Sequence, residues 1–194
     1  MRTAKTVLTV IQERGKQKKP IERVYKLLFN RELYLNAYAK LYPNNGAMTK
    51  GVTNETVDGM SIQKIDRMIE ILREEKYQWK PARREYIKKK NGKKRPLGIP
   101  VWGDKVLQEV MRQILEAYYE PQFSEHSHGF RPNRGCHTAL QEIQVWKGTR
   151  WFIEGDISQY FDTIDHKILL EILARNIHDG RFIRLVSNML EAGY

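Results

Sequence analysis

A carboxylate that closes an apolar strand behind a glycine and ahead of two adjacent aromatics is placed to hold a hard divalent cation. Asp156 has that setting, after Gly155 and before Tyr160-Phe161. Oxygen ligands of this kind bind Mg2+ together with backbone carbonyls and a phosphate. Capping and turn roles are commoner for a strand-end aspartate, so the position alone does not decide its use. Glu154 falls on the same strand face and stays open between a supporting acid and a solvated edge residue. His126 and His128 lie two apart in a loop with no third residue at metal spacing, which leaves them a polar loop role. Cys136 stands beside His137, but sequence neighbours rarely form a nucleophile–base pair, and packing within a helix is the better reading. As the one cysteine it makes no internal disulfide. Neither a Walker phosphate loop nor a dinucleotide glycine motif occurs.

Charge supplies a second chemistry. The 194 residues carry a net charge of +11, and the halves differ. Residues 1–100 hold 24 basic and 10 acidic side chains, a net of +14, whereas residues 101–194 hold 10 and 13, a net of −3. A basic half joined to a mildly acidic one points to a polyanion-binding surface beside a site that needs carboxylates. The basic residues concentrate in Lys80, Arg83, Arg84, Lys88, Lys89, Lys90, Lys93, Lys94 and Arg95, opposed only by Glu85. Asn91-Gly92 in their midst is a strong hairpin signal, predicting strands over about 83–89 and 94–98. Tyr86, Ile87, Leu97 and Ile99 anchor it.

These side chains need a frame, and hydrophobic spacing predicts one. Residues 1–19 read as a short helix running into a basic linker. Pro20 opens a helix striped by Ile21, Val24, Tyr25 and Leu28, and a second stripe follows at Leu33, Leu35, Tyr38 and Leu41. Residues 42–59 form a long loop, of a length that is usually functional or disordered. Ser61 caps a helix with Ile62, Ile65, Ile69 and Leu72 on one face. Asp104 caps another that ends at Pro121, and a helix spans about 136–147. Trp151–Ile157 is a strand, and Asp165 and Asp179 cap the last two helices. The fold class is therefore α+β, helix-rich, with few strands. No run of about 18 apolar residues is present, so no membrane partner is expected. A reducing, cytoplasmic and bacterial setting is expected.

Four segments, in order, resemble blocks of the group II intron-encoded reverse transcriptases, also called intron maturases. Residues 44–59 (NNGAMTKGVTNETVDG) resemble the block that precedes the fingers in this class. Residues 87–100 (IKKKNGKKRPLGIP) are similar to the fingers hairpin. Residues 129–135 (GFRPNRG) resemble the family's second block, in which serine or asparagine often replaces Gly135. Residues 155–166 (GDISQYFDTIDH) are similar to polymerase motif A of the palm, although Glu154 stands where relatives often carry Asp. The resemblance runs from about residue 33 to the last residue.

The resemblance implies the fingers and partial palm of a right-hand polymerase. Residues 1–42 would be a helical extension, 43–148 the fingers and 149–194 the start of the palm. It implies that Asp156 is the catalytic metal carboxylate, with the backbone carbonyl of Ile157 beside it, for two Mg2+ ions in the full-length enzyme. Lys89 and Arg95 would clamp the dNTP triphosphate, and Phe161 would be the steric gate beneath the sugar. Arg83, Ile99 and Pro100 would line the template. Arg84, Lys88, Lys90, Lys93, Lys94 and Arg131 would add contacts to template and intron RNA. The implied partners are group II intron RNA, template RNA with a DNA primer, dNTPs, and a second copy of the chain. The family's other two metal carboxylates belong to a Tyr-x-Asp-Asp block that this sequence lacks. The chain alone is thus expected to bind RNA, to hold Mg2+ weakly and not to polymerise. The alternatives are a non-catalytic RNA-binding splicing scaffold, or a retron- or CRISPR-associated reverse transcriptase.

Overall fold

The computed structural model describes residues 2–88, 92 and 94–193. Helix α1 (Ala4–Lys16) starts at Thr3, whose hydroxyl accepts from the Thr6 amide at 3.2 Å. Helix α2 (Arg31–Leu41) starts at Asn30, whose side-chain oxygen takes the Glu32 amide at 3.0 Å. Helix α3 (Ile62–Arg73) starts at Ser61, as its sequence predicts, and buries Ile65, Ile69 and Leu72 while Ile62 faces solvent. Helices α1 and α2 pack on α4 (Trp102–Tyr119), whose Val106, Leu107, Val110, Ile114 and Tyr118 are fully buried, and α3 packs beside α2. Such a stripe on an 18-residue helix makes α4 the axis of the core.

Helix α1 meets the α4 backbone directly at Gly15. A Cβ built there would lie 2.1 Å from the Tyr118 carbonyl oxygen, so the glycine is required by contact with the neighbouring backbone. Tyr118 extends the same joint, its hydroxyl donating to the Lys19 carbonyl at 3.0 Å.

Residues 20–29 depart from the helix predicted to open at Pro20. Ile21–Glu22 form strand β1, and a 3-10 turn over Val24–Phe29 follows. Arg23 between them takes a left-handed φ of 55°, which no α-helix can pass through. Tertiary pairing decides the outcome. The Ile21 amide donates to the Asn176 carbonyl at 2.8 Å, and the Tyr25 amide donates to the Asp179 carboxylate at 2.9 Å.

Strands β2 (Arg83–Lys88) and β3 (Lys94–Ile99) form the antiparallel hairpin foreseen from Asn91-Gly92. Asn91 itself lies outside the described residues, as do Lys89, Lys90 and Lys93. Asp104 does not cap α4. The helix opens two residues earlier with Val101 at its cap position, and Asp104 lies buried in the first turn. There its carboxylate accepts from the Tyr77 hydroxyl at 2.6 Å and from the Lys80 amide at 3.0 Å. Burial raises the Asp104 pKa, and these two donors oppose the rise.

Helix α5 (Cys136–Gln144) is shorter than predicted, and Cys136 is exposed on it, not packed. Residues 151–157 do not form the predicted strand; they run as irregular, exposed backbone, with Trp151 87% and Ile153 93% accessible. A strand exists through its ladder, and both two-stranded sheets of the described residues pair other segments. A short turn, α6 (Tyr160–Thr163), precedes α7 (His166–Ala174), whose cap Asp165 accepts from the Ile168 amide at 3.0 Å. Strand β4 (Ile177–His178) pairs in parallel with β1, Ile21 opposite Ile177. Asp179 then caps α8 (Gly180–Glu191), as predicted. No helix among the described residues is long and apolar enough to cross a membrane.

Gly15→Ala should lower the melting temperature. The added methyl must push two backbones apart, an overpacking cost of about 1–3 kcal/mol or more against a helix-propensity gain of about 1 kcal/mol. A drop of at least about 3 °C is expected by circular dichroism. An unchanged or higher midpoint would contradict the contact.

Candidate nucleic-acid interface

The hairpin register sorts its cations onto two faces. Arg83, Glu85 and Ile87 stand opposite Ile99, Leu97 and Arg95, whereas Arg84, Tyr86 and Lys88 stand opposite Gly98, Pro96 and Lys94. Lys88 and Lys94 are therefore directly opposed and exposed. Like charges in that relation destabilise a strand pair, and a bound anion relieves them. On the same face the Arg84 guanidinium lies 6.0 Å from the Tyr86 ring centre, a cation–π contact. Arg95 is exposed on the other face beside Ile87 and Leu97. Lys89, its expected companion across the turn, lies outside the described residues.

The base of the hairpin is held to the long loop of residues 42–59. Arg83 Nε donates to the Lys50 carbonyl at 3.0 Å, and its guanidinium also pairs with Glu85. Arg83 thus braces the loop, with part of its donor set already engaged. Lys105 Nζ reaches the same loop from α4 and donates to the carbonyls of Thr49 at 3.1 Å and Gly46 at 3.3 Å. Burial lowers the Lys105 pKa, and the nearby Arg83 charge lowers it further. Gly51 completes the joint: a Cβ there would come within 2.8 Å of the Val101 amide nitrogen. Ala47 and Val57 are buried, and the Val57 amide donates to the Ala47 carbonyl at 3.3 Å. The loop is therefore a fitted part of the frame. Lys105 was not singled out from sequence. Its signal is a cation in the first turn of a helix, where the macrodipole disfavours positive charge.

Arg131 is placed inside its own loop. Its side chain is 8% exposed, pairs with Glu120 at 2.9 Å and donates to the carbonyls of Ser124 and Ser127 at 2.6 and 2.8 Å. His126 and His128 converge on Glu142 of α5, a meeting the sequence spacing did not show. His128 Nε2 lies 2.8 Å from the carboxylate, and its Nδ1 lies 2.8 Å from the Thr138 hydroxyl. Hydrogen bonds from His128 first and His126 second hold Glu142 below the usual carboxylate range. Ile99 and Pro100 are half-buried where β3 runs towards α4.

Asp156 and Ile157 sit on the exposed 151–157 segment. The strand face that Asp156 and Glu154 were to share is absent with the strand. Among the described residues no three His, Cys, Asp or Glu side chains gather as a metal site. One solvated carboxylate is a ligand, and this donor set does not by itself fit two Mg2+ ions. Phe161, on α6, is 75% exposed and touches Tyr160 edge to face at 5.2 Å.

Comparison with known proteins matches residues 87–191 to the family described as reverse transcriptase (RNA-dependent DNA polymerase). The chain is 49% identical over 174 residues to the group II intron-encoded protein LtrA of Lactococcus lactis subsp. cremoris, covering 89% of this chain and 29% of that protein. It is 46% identical over 199 residues to an uncharacterized 91 kDa protein in the cob intron of Schizosaccharomyces pombe, covering 98% of this chain and 25% of that one. Nuclear intron maturase 1, mitochondrial, of Arabidopsis thaliana is 36% identical over 93 residues, covering 47% of this chain and 13% of its own length. The chain thus spans less than a third of these relatives.

Lys105→Met keeps the length and apolar stem of the side chain but removes both donors to the loop. Amide hydrogen exchange across residues 44–51 should accelerate while α4 stays protected, with a stability loss of about 1–2 kcal/mol. Unchanged exchange in the loop would show that Lys105 does not hold it.

Proposed function

The chain belongs to the reverse transcriptase family, and on that premise we propose that it is the fingers and opening palm of a group II intron-encoded RNA-directed DNA polymerase that also serves as a maturase. The observation that carries the proposal is the hairpin, with Lys88 set against Lys94, Arg84 stacked on Tyr86 and Arg95 exposed, mounted on a loop braced by Arg83 and Lys105. A ribbon with Lys88 and Lys94 opposed and Arg95 exposed fits a sugar–phosphate backbone. Binding follows phosphate positions and therefore shows little sequence selectivity.

Within that reading, template RNA lies along Arg83, Ile99 and Pro100, with Arg84, Lys88, Lys90, Lys93 and Lys94 on its phosphates and on intron RNA. Arg131 shapes the neighbouring loop. Lys89 and Arg95 take the dNTP triphosphate, Arg bidentately and Lys as a point charge. Asp156 and the Ile157 carbonyl offer ligands towards Mg2+, and Phe161 lies under the sugar. The 1–42 extension, 43–148 fingers and 149–194 palm remain the proposed division. A DNA primer paired to the template, and a second copy of the chain through exposed apolar residues such as Ile168 and Ile172, complete the proposed partners. The solitary carboxylate favours a second reading for these residues by themselves: an RNA-binding scaffold that does not extend a primer.

Binding to structured RNA should weaken steeply with salt. For roughly five neutralised phosphates, log K against log salt should have a slope of about −4, read by filter binding between low and moderate salt. A flat profile would remove the proposal.

In the full-length parent, Phe161→Ala should relax sugar discrimination. With the ring gone, a 2′-hydroxyl no longer overlaps it, and the kcat/KM ratio of ATP to dATP should rise about 100-fold, or about 2.7 kcal/mol. Because the ring is open to solvent here, the melting temperature of the chain should barely change. A constant ratio with a large loss of stability would assign Phe161 to packing.

A further inference from the structure

A cavity of about 460 Å3 opens between α3, residues 76–80 and the start of α4. Met60, Met68, Ile71 and Tyr77 give it an apolar wall. Gly103 lines it from the α4 side, where a built Cβ would stand 4.0 Å from Met68 Sδ, at ordinary contact distance. Its rim is cationic. Lys64 is paired with Glu55 at 3.1 Å and Lys76 with Glu74 at 3.0 Å, while Arg67 and Lys80 carry no ion pair among the described residues. The Asp104 carboxylate at its edge is occupied by Tyr77 and the Lys80 amide. The cavity therefore presents an apolar wall with the Arg67 guanidinium among its lining residues and outside every ion pair of the described residues.

Flat heteroaromatic rings enter such cavities edge-on and stack on thioether and aromatic side chains. A phosphate attached to the ring then meets the Arg67 guanidinium. We infer that the cavity takes one unstacked nucleotide of a bound RNA, its base between Met68, Ile71 and Tyr77 and its phosphate at Arg67. Loops and bulges supply such nucleotides, whereas a continuous duplex does not. The inference rests on the RNA-binding reading and adds to it a preference for unpaired positions at a site apart from the hairpin.

The test compares a stem-loop RNA with a fully paired duplex of equal charge, using the full chain. Gly103→Met fills the slot from a helical position with ordinary backbone, and Met68→Trp fills it from the opposite wall. Each should weaken stem-loop binding about tenfold and leave duplex binding unchanged, the size expected for loss of one stacked base. Arg67→Gln should act on the same RNA alone, whereas Lys94→Gln should weaken both RNAs alike. A 4-thiouridine in the loop should crosslink within residues 60–77. Equal losses on both RNAs, or none with either filling variant folded by circular dichroism, would overturn the inference while leaving hairpin binding intact. Tight binding of adenosine monophosphate, or of an acidic aromatic peptide, without preference for the stem-loop would also overturn it. If the unaltered chain bound neither RNA, the RNA-binding reading would fall first.

Discussion

A buried carboxylate in the first turn of α4 determines where the basic hairpin begins. Asp104 accepts the Tyr77 hydroxyl and the Lys80 amide, and so fixes the segment leading into β2 onto the most buried helix of the fold. Removing that carboxylate from water is costly, and its raised pKa shows the cost. The two donors offset part of it, which makes the joint conditional on both. Trp79, between them, donates its indole N–H to the Leu185 carbonyl at 3.0 Å and ties the same segment to α8. Without this junction the hairpin would be a two-stranded ribbon, marginal by itself in water.

The electrostatics of the molecule follow from that mounting. Opposed lysines and a row of arginines repel one another, and a loose ribbon would splay. Here the repulsion is borne by a frame whose own cations turn inward: Arg83 and Lys105 spend their donors on loop carbonyls, and Arg131 on Glu120. Within the hairpin itself Arg83 turns to the Lys50 carbonyl while Lys88, Lys94 and Arg95 stay exposed, and they differ in what lies within reach.

That difference also explains how much the sequence disclosed. Local chemistry was legible. Asn91-Gly92 fixed the hairpin, and Ser61, Asp165 and Asp179 marked their helices because a cap acts within a few residues. Much of α3 and α4 followed from spacing. Features decided by distant partners were not legible. Pro20 and the stripe after it suit a helix, yet Arg23 turns left-handed because Asn176 and Asp179 capture the backbone on either side. Asp104 suits a cap until Tyr77 arrives. Residues 151–157 have strand composition, and composition cannot provide a ladder. At the candidate site, the cation cluster was visible from sequence, but the bracing by Lys105 and the convergence of two histidines on Glu142 were not.

The bond from Tyr25 to Asp179 closes a loop of 154 residues, and the β1–β4 pair closes nearly the same one. Contacts so far apart in sequence form late, because chain entropy must be lost before they return any energy. During synthesis the first segment is made long before its partner, so Ile21 and Tyr25 must wait for Ile177 and Asp179 to exist. The strongly basic half of the chain leaves the ribosome in that unfinished condition. Folding of the 20–29 segment is thus timed by a partner about 150 residues downstream.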